Sequence, residues 1–252
     1  MRVDDVKVIG VFGAGTIGRD IAQVCARSGY EVVLFSRSEK TLSKALAMIR
    51  DGPFGLMRLV EKGRLRDDDV EEIIGRIKTT TSRSDLKDVD FLIEAIPEDA
   101  AIKKEAFSYL DKICKEETVF ASNTSAILIS DLASSVERKD RFIGMHFFNP
   151  APVMPLVEVV RGALTSNETF NLIVELAKRL GKKPIEARDG PGFFTTRFIN
   201  AILVEAVRLF EIGVAGIKEI DEMCKLAFRF PMGPFELMDL IGLDTVLHIA
   251  CL

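Results

Sequence analysis

Apolar residues fall in two rhythms along this chain. Short unbroken runs bounded by turn residues predict buried strands, and returns every three or four positions predict helices with one apolar face. The first rhythm predicts strands over residues 6–12, 31–35, 91–96, 119–121, 142–147 and 156–160, with a last one over 184–187. The second predicts helices over 17–27 (Ile17, Ile21, Val24 and Cys25 on one face), 102–114 and 166–180, and a charged helical stretch over 39–75 broken at Gly52-Pro53. Strands alternating with helices predict an α/β fold, a Rossmann-type doubly wound parallel sheet. The pattern changes at Arg188-Asp189-Gly190-Pro191-Gly192. Beyond it only helices are predicted, over 193–212, 217–228 and 236–250. The expected organisation is therefore a nucleotide-binding domain over 1–187 and a smaller all-helical domain over 188–252. That helical part is too small to bury its own Phe, Leu, Ile and Met, so it is expected to pack against a second copy in a homodimer.

Between the first strand and the first helix stands Gly13-Ala14-Gly15-Thr16-Ile17-Gly18. A Gly-x-Gly-x-x-Gly turn in a strand–helix–strand unit cradles a dinucleotide diphosphate. The first glycine permits the tight turn, the second lets the diphosphate approach the backbone, and the third lets helix pack on strand. The second strand of such a unit ordinarily ends in an acidic residue that binds the ribose 2′-hydroxyl. Here Ser36 and Arg37 follow Phe35 instead. A guanidinium pairs well with phosphate, so NADP stands beside NAD as the expected cofactor. Alternatively, Arg37 points into solvent or stacks on the adenine without discriminating.

Composition narrows the remaining classes. With 48% hydrophobic residues in 252 the chain can bury a large core, and a net charge of −4 argues against general nucleic-acid binding. No apolar run approaches the roughly 18 residues of a membrane span. The acidic start, Met1-Arg2-Val3-Asp4-Asp5, is unlike a secretion signal. Cys25, Cys114, Cys224 and Cys251 are scattered, so neither a metal site nor a disulfide framework is expected, and a cytoplasmic location is.

Of two histidines, His248 reads as a helix-surface residue. His146 ends a strand, meets the turn Phe147-Phe148-Asn149-Pro150-Ala151-Pro152-Val153-Met154, and has Glu158 on the returning strand. A carboxylate on one imidazole nitrogen fixes the tautomer and leaves the other as a general base. Ser122-Asn123-Thr124-Ser125 follows another buried strand, at the sheet edge where ligands bind in open α/β folds. Its hydroxyls read either as substrate contacts or as a helix cap.

Together with Pro191-Gly192-Phe193 and Pro231-Met232-Gly233-Pro234-Phe235-Glu236-Leu237, these stretches resemble the L-3-hydroxyacyl-CoA dehydrogenase family, which includes 3-hydroxybutyryl-CoA dehydrogenases. The resemblance implies interconversion of 3-hydroxyacyl-CoA and 3-ketoacyl-CoA by hydride exchange with a nicotinamide. By position it makes His146 the catalytic base, Glu158 its partner and Ser125 a contact to substrate and cofactor. It puts Asn149 near nicotinamide and substrate, and Glu98 and Lys103 at the cofactor. Lys62 falls near a basic residue that holds the CoA phosphate, although residues 51–55 read as an insertion. Departures are also legible. Thr196 stands where the family commonly has Asn; the form Phe193-Phe194-Thr195-Thr196-Arg197 resembles the dehydrogenase part of multifunctional fatty-acid oxidation enzymes, and Thr196 joins the expected catalytic set. Pro155 replaces a usual lysine. The chain stops at Leu252 inside a predicted helix, roughly thirty residues short of the family's usual end, so the second domain is expected to be cut short. A dehydrogenase of a free hydroxy acid and an inactive dinucleotide-binding protein remain as alternative readings.

Overall fold

The computed structural model describes residues 1–250, leaving out the side chains at 245 and 248–250. The expectations for His248 and Cys251 therefore lie outside what is described. The chain divides into two compact units, Met1–Asp189 and Gly190–Leu252.

The first unit is built on one eight-stranded sheet. Its strands are β1 (Val8–Phe12), β2 (Glu31–Phe35), β3 (Ile77–Thr80), β4 (Phe91–Glu94), β5 (Val119–Ser122), β6 (Phe142–Phe147), β7 (Leu156–Arg161) and β8 (Lys183–Arg188), in the order β3-β2-β1-β4-β5-β6-β7-β8. The first six positions run parallel. β7 then turns antiparallel to β6, and β8 follows β7 in parallel. The central strands β4, β5 and β6 are buried along their whole length. Helices cover both faces of such a sheet, which is why those strands read as continuous apolar runs rather than alternations. The helices are α1 (Thr16–Arg27), α2 (Glu39–Asp51), α3 (Met57–Glu61), α4 (Asp67–Gly75), α5 (Ala100–Ile113), α6 (Ile129–Ala133) and α7 (Asn167–Arg179).

Three expectations need correction here. The edge strand β3, Ile-Lys-Thr-Thr, is missing from the sequence reading because only its end residues are buried. An edge strand with one covered face carries too few apolar positions to stand out. The region 39–75 forms three helices rather than one broken at Gly52-Pro53, since Gly63 adopts φ 64° between α3 and α4. Finally, the sheet is not parallel throughout, and the reversal at β7 is what brings Glu158 to His146.

The second unit consists of α8 (Thr195–Glu211), α9 (Ile217–Phe228), α10 (Pro234–Ile241) and α11 (Leu243–Ala250). The expected single helix over 236–250 is divided at Gly242, whose φ of 95° lies outside the helical region for L-residues. The Pro-Met-Gly-Pro-Phe-Glu-Leu motif forms the start of α10. Buried Asp221 of α9 accepts hydrogen bonds from the amides of Phe235 and Glu236, satisfying two donors of the first turn. A Cβ on Gly233 would sit 2.4 Å from the Asp221 side chain, so only glycine admits this cap. Glu236 closes the same turn by accepting from the Gly233 amide at 2.9 Å. Among the described residues no helix is long and apolar enough to cross a membrane, and no acidic, histidine and cysteine cluster could hold a metal ion.

Candidate active site

The strand order 3-2-1-4 reverses between β1 and β4, the place where open α/β sheets bind ligands at their carboxyl ends. The glycine turn occupies that place, and its three glycines have different reasons. A Cβ on Gly13, at φ 124°, would strike the Ala95 carbonyl oxygen at 2.5 Å. One on Gly18 would strike the Gly13 carbonyl oxygen at 1.9 Å. Protein packing thus requires both. Gly15 has nothing within 4 Å of its Cβ position and is exposed, so the open space before it is available to a ligand. Gly15 also precedes α1 with no side-chain cap, and the first turn of α1, beginning with exposed Thr16, carries no acidic residue. Its free amides and dipole favour an anion. Ile17 is half-buried and packs on the core. The cradle fits a dinucleotide diphosphate.

Three strands away, β6 and β7 place His146 opposite Glu158 in antiparallel register. Directly opposed residues share a face, so the turn 148–155 need only return the chain in step. His146 Nδ1 lies 2.8 Å from Glu158 Oε2, and both side chains are buried. An ionised carboxylate only accepts, so Nδ1 carries the proton and donates it. Burying that carboxylate alone would cost several kcal/mol; the imidazole N–H offsets the cost and is itself oriented. His146 Nε2 is then the basic nitrogen, 3.1 Å from the Ser125 hydroxyl. Phe148 lies beside the imidazole, ring centroids 4.5 Å apart.

Ser125 is held in turn by Glu98. Its Oε1 accepts from the Thr124 hydroxyl at 2.5 Å and from the amides of Ser125 and Ala126 at 2.8 and 3.0 Å. Burial pushes the Glu98 carboxyl up, but the Lys103 ammonium and these hydrogen bonds outweigh it and hold the group below the usual glutamate value. Lys103 departs from its expected place at the cofactor. Its side chain is only 2% exposed, and its ammonium lies 2.5 Å from Glu94, 3.3 Å from Glu98 and 3.2 Å from the Ile96 carbonyl oxygen. It therefore supports Glu98 from within. Glu94, at the end of β4, accepts also from the Ser122 hydroxyl at 2.5 Å. Asn123 accepts from the Phe147 amide at 2.8 Å and so ties the turn after β5 to the end of β6.

The structure thus joins Glu98, Ser125, His146 and Glu158 in one hydrogen-bonded line. Asn149 lies exposed in the following turn, across a cis bond to Pro150. Lys62 is exposed at the end of α3, and Ser36 and Arg37 follow β2. Thr196 is buried in the first turn of α8, in the second unit. Sequence reasoning missed Glu94 and Asn123, and also Lys182, whose ammonium holds the turn through the carbonyl oxygens of Ala151 (2.5 Å) and Met154 (3.0 Å). Glu94 ends an apolar run, and that is the one sequence signal that could have raised it: a carboxylate ending a buried strand needs a buried partner.

Comparison with known proteins agrees with this geometry. Residues 8–190 match the family described as 3-hydroxyacyl-CoA dehydrogenase, NAD binding domain, and residues 192–252 match its C-terminal domain. A 3-hydroxybutyryl-CoA dehydrogenase of Clostridioides difficile is 46% identical over 241 residues, covering 96% of this chain and 85% of that protein. The mitochondrial hydroxyacyl-coenzyme A dehydrogenase of Homo sapiens is 42% identical over 247 residues, covering 97% of this chain and 79% of that one. The solved (S)-3-hydroxybutyryl-CoA dehydrogenase of Ralstonia eutropha superposes with a TM-score of 0.92 at 42% identity, covering 97% of this chain and 86% of that chain. The chain belongs to the 3-hydroxyacyl-CoA dehydrogenase family.

Proposed function

We propose that the chain interconverts (S)-3-hydroxyacyl-CoA and 3-ketoacyl-CoA, with His146 as the proton-transferring residue. The observation that carries this reading is the line Ser125–His146–Glu158, with its basic nitrogen toward a hydroxyl and its far nitrogen on a buried carboxylate. A bound nicotinamide dinucleotide supplies hydride acceptance in oxidation and hydride donation in reduction. His146 Nε2 takes the 3-hydroxyl proton as the C3–H bond breaks, and the imidazolium returns a proton to the ketone oxygen in the reverse direction. Positive charge then grows on the ring, and Glu158 stabilises it at short range where little water screens it. Ser125 hydrogen-bonds the reacting oxygen and aligns it with Nε2.

Gly13, Gly15, Thr16, Ile17 and Gly18 hold the diphosphate, with Glu98 positioned near the cofactor through the Ser125 turn. Asn149, whose side chain has no hydrogen-bond partner among the described residues, serves the nicotinamide end. Exposed Lys62 serves a CoA phosphate. The three described cysteines are free thiols, which suits a reducing compartment such as the cytoplasm.

The second unit supports self-association. Its helices expose large apolar residues, among them Leu226 at 75% and Leu240 at 70%, with Phe228, Ile212 and Leu247. So many large exposed apolar residues in one small unit favour a protein interface, and a homodimer through these helices is the reading we adopt.

The test is steady-state oxidation of NADH and of NADPH by acetoacetyl-CoA, followed by absorbance, against free acetoacetate. Turnover with the thioester and little with the free acid is expected. Equal turnover would remove CoA from the reading. Cofactor binding without turnover on either would leave a nucleotide-binding protein.

A further inference from the structure

We propose that the cofactor site accepts the 2′-phosphorylated dinucleotide, NADP(H), with Arg37 and Ser36 as its phosphate ligands. This rests on the reading of the glycine turn as a dinucleotide cradle, and it assigns that site a cofactor preference the family description does not contain.

The Gly13 amide donates to the Phe35 carbonyl oxygen at 3.0 Å. The glycine turn and the last residue of β2 are thereby joined, and the residues after Phe35 lie beside the place where the adenosine ribose emerges from the cradle. In that place a carboxylate accepts hydrogen bonds from ribose hydroxyls and repels a 2′-phosphate. Between Phe35 and Ser38 this chain has only Ser36 and Arg37. Glu39, the next carboxylate in sequence, opens α2, and the Thr81 hydroxyl lies 3.4 Å from it.

The cation is placed and unspent. Arg58, Arg66, Arg76 and Arg83 each face an acidic side chain within 3.2 Å. Arg37 is exposed and makes no hydrogen bond or ion pair among the described residues. A guanidinium offers five donors in a planar fork that matches phosphate oxygens in pairs. The backbone beneath it is fixed. The Ser36 amide donates to the Thr80 carbonyl oxygen at 3.1 Å. The Ser38 hydroxyl caps the 13-residue helix α2 by accepting from the Thr41 amide at 3.4 Å. A 2′-phosphate here meets a hydroxyl and a guanidinium just before the N-terminus of α2, whose first turn carries one carboxylate, Glu39, with the Thr81 hydroxyl beside it.

Calorimetric titration of the full chain with NADP⁺ and with NAD⁺ tests this independently of turnover. NADP⁺ is expected to bind at least as tightly as NAD⁺, and its affinity should fall more steeply with added salt. Arg37→Ala, a surface change with little reach into the fold, should weaken NADP⁺ by about tenfold to a hundredfold and NAD⁺ by less than about threefold. Ser36→Asp should invert the preference toward NAD⁺. NAD⁺ binding tenfold tighter than NADP⁺ in the wild-type chain would overturn the proposal, as would an Arg37→Ala change that weakens both nucleotides equally. Turnover of acetoacetyl-CoA with NADH alone would overturn it and leave the dehydrogenase reading standing. Tight NADP⁺ binding without turnover would do the reverse, and failure to bind either nucleotide would remove both.

Discussion

The two ends of the cofactor site hold their polar side chains in opposite ways. At the β5–β6–β7 end, His146, Glu158, Ser125 and Glu98 are bonded to one another and to the backbone, mostly out of water. At the β2 end, Arg37 lies exposed with no hydrogen bond or ion pair among the described residues. Groups that move a proton must keep one geometry and one tautomer through turnover, and a network of protein hydrogen bonds provides that before any ligand arrives. A group that recognises a phosphate gains from being unsatisfied until the phosphate comes, since its donors are then free to be spent on it. Fixed chemistry and waiting recognition thus separate along one sheet edge.

Four substitutions sharpen the contrast, in descending order of expected effect. His146→Gln removes the base from the networked end. Turnover of acetoacetyl-CoA should fall by about 10²–10⁴, while calorimetric affinity for the dinucleotide stays within about threefold of wild type. Near-normal turnover would take His146 out of the mechanism. Glu158→Gln keeps the shape but not the charge, and should cost about a hundredfold in kcat with little change in KM. A rise in KM alone would show that the carboxylate serves binding instead.

Glu98→Gln comes third, with roughly tenfold lower kcat/KM expected from a loosened Ser125 turn. It also carries a pH signature. The folded pKa of Glu98 lies below its ordinary value, so its contribution to stability is full above about pH 4.3 and is lost as the pH falls through the lower folded value. Thermal melting of the wild type should therefore drop more steeply on acidification than that of Glu98→Gln. Parallel acid profiles would contradict the ion-paired assignment. Smallest in its effect on each site's chemistry is Leu226→Glu on the exposed face of α9. Light scattering should show a shift toward monomer if that face is an interface, and an unchanged mass would exclude it.

How much of this was legible in sequence follows from the same contrast. The Rossmann unit was readable because its strands are buried on both faces and its turn demands glycine: Gly13 and Gly18 answer to packing that no other residue permits. His146 and Glu158 were readable because a histidine at a strand end, followed by a turn and a returning carboxylate, suffices to oppose them. Glu94 and Lys103 were not. A lysine at the first buried turn of a helix looks like a surface cation until β4 and α5 are packed, and the ion pair between residues 94 and 103 exists only through that packing. The reversal at β7 was implied by the turn but lost in the expectation of a parallel sheet. β3 was lost because half-covered edges leave a weak apolar signal. The split of the last predicted helix turned on Gly242 alone, whose side-chain-free backbone allows a conformation the spacing of its neighbours conceals.

The account depends most on which nitrogen of His146 carries the proton. With only two histidines in the chain, selective ¹⁵N labelling of histidine separates their ring signals directly by NMR. In its neutral form the His146 ring is predicted to carry its proton at Nδ1, facing Glu158, and to be bare at Nε2, with the preference weakened in Glu158→Gln. A proton found on Nε2 of the neutral ring in the wild-type chain would mean that the carboxylate does not set the tautomer, and the general-base assignment would fall with it.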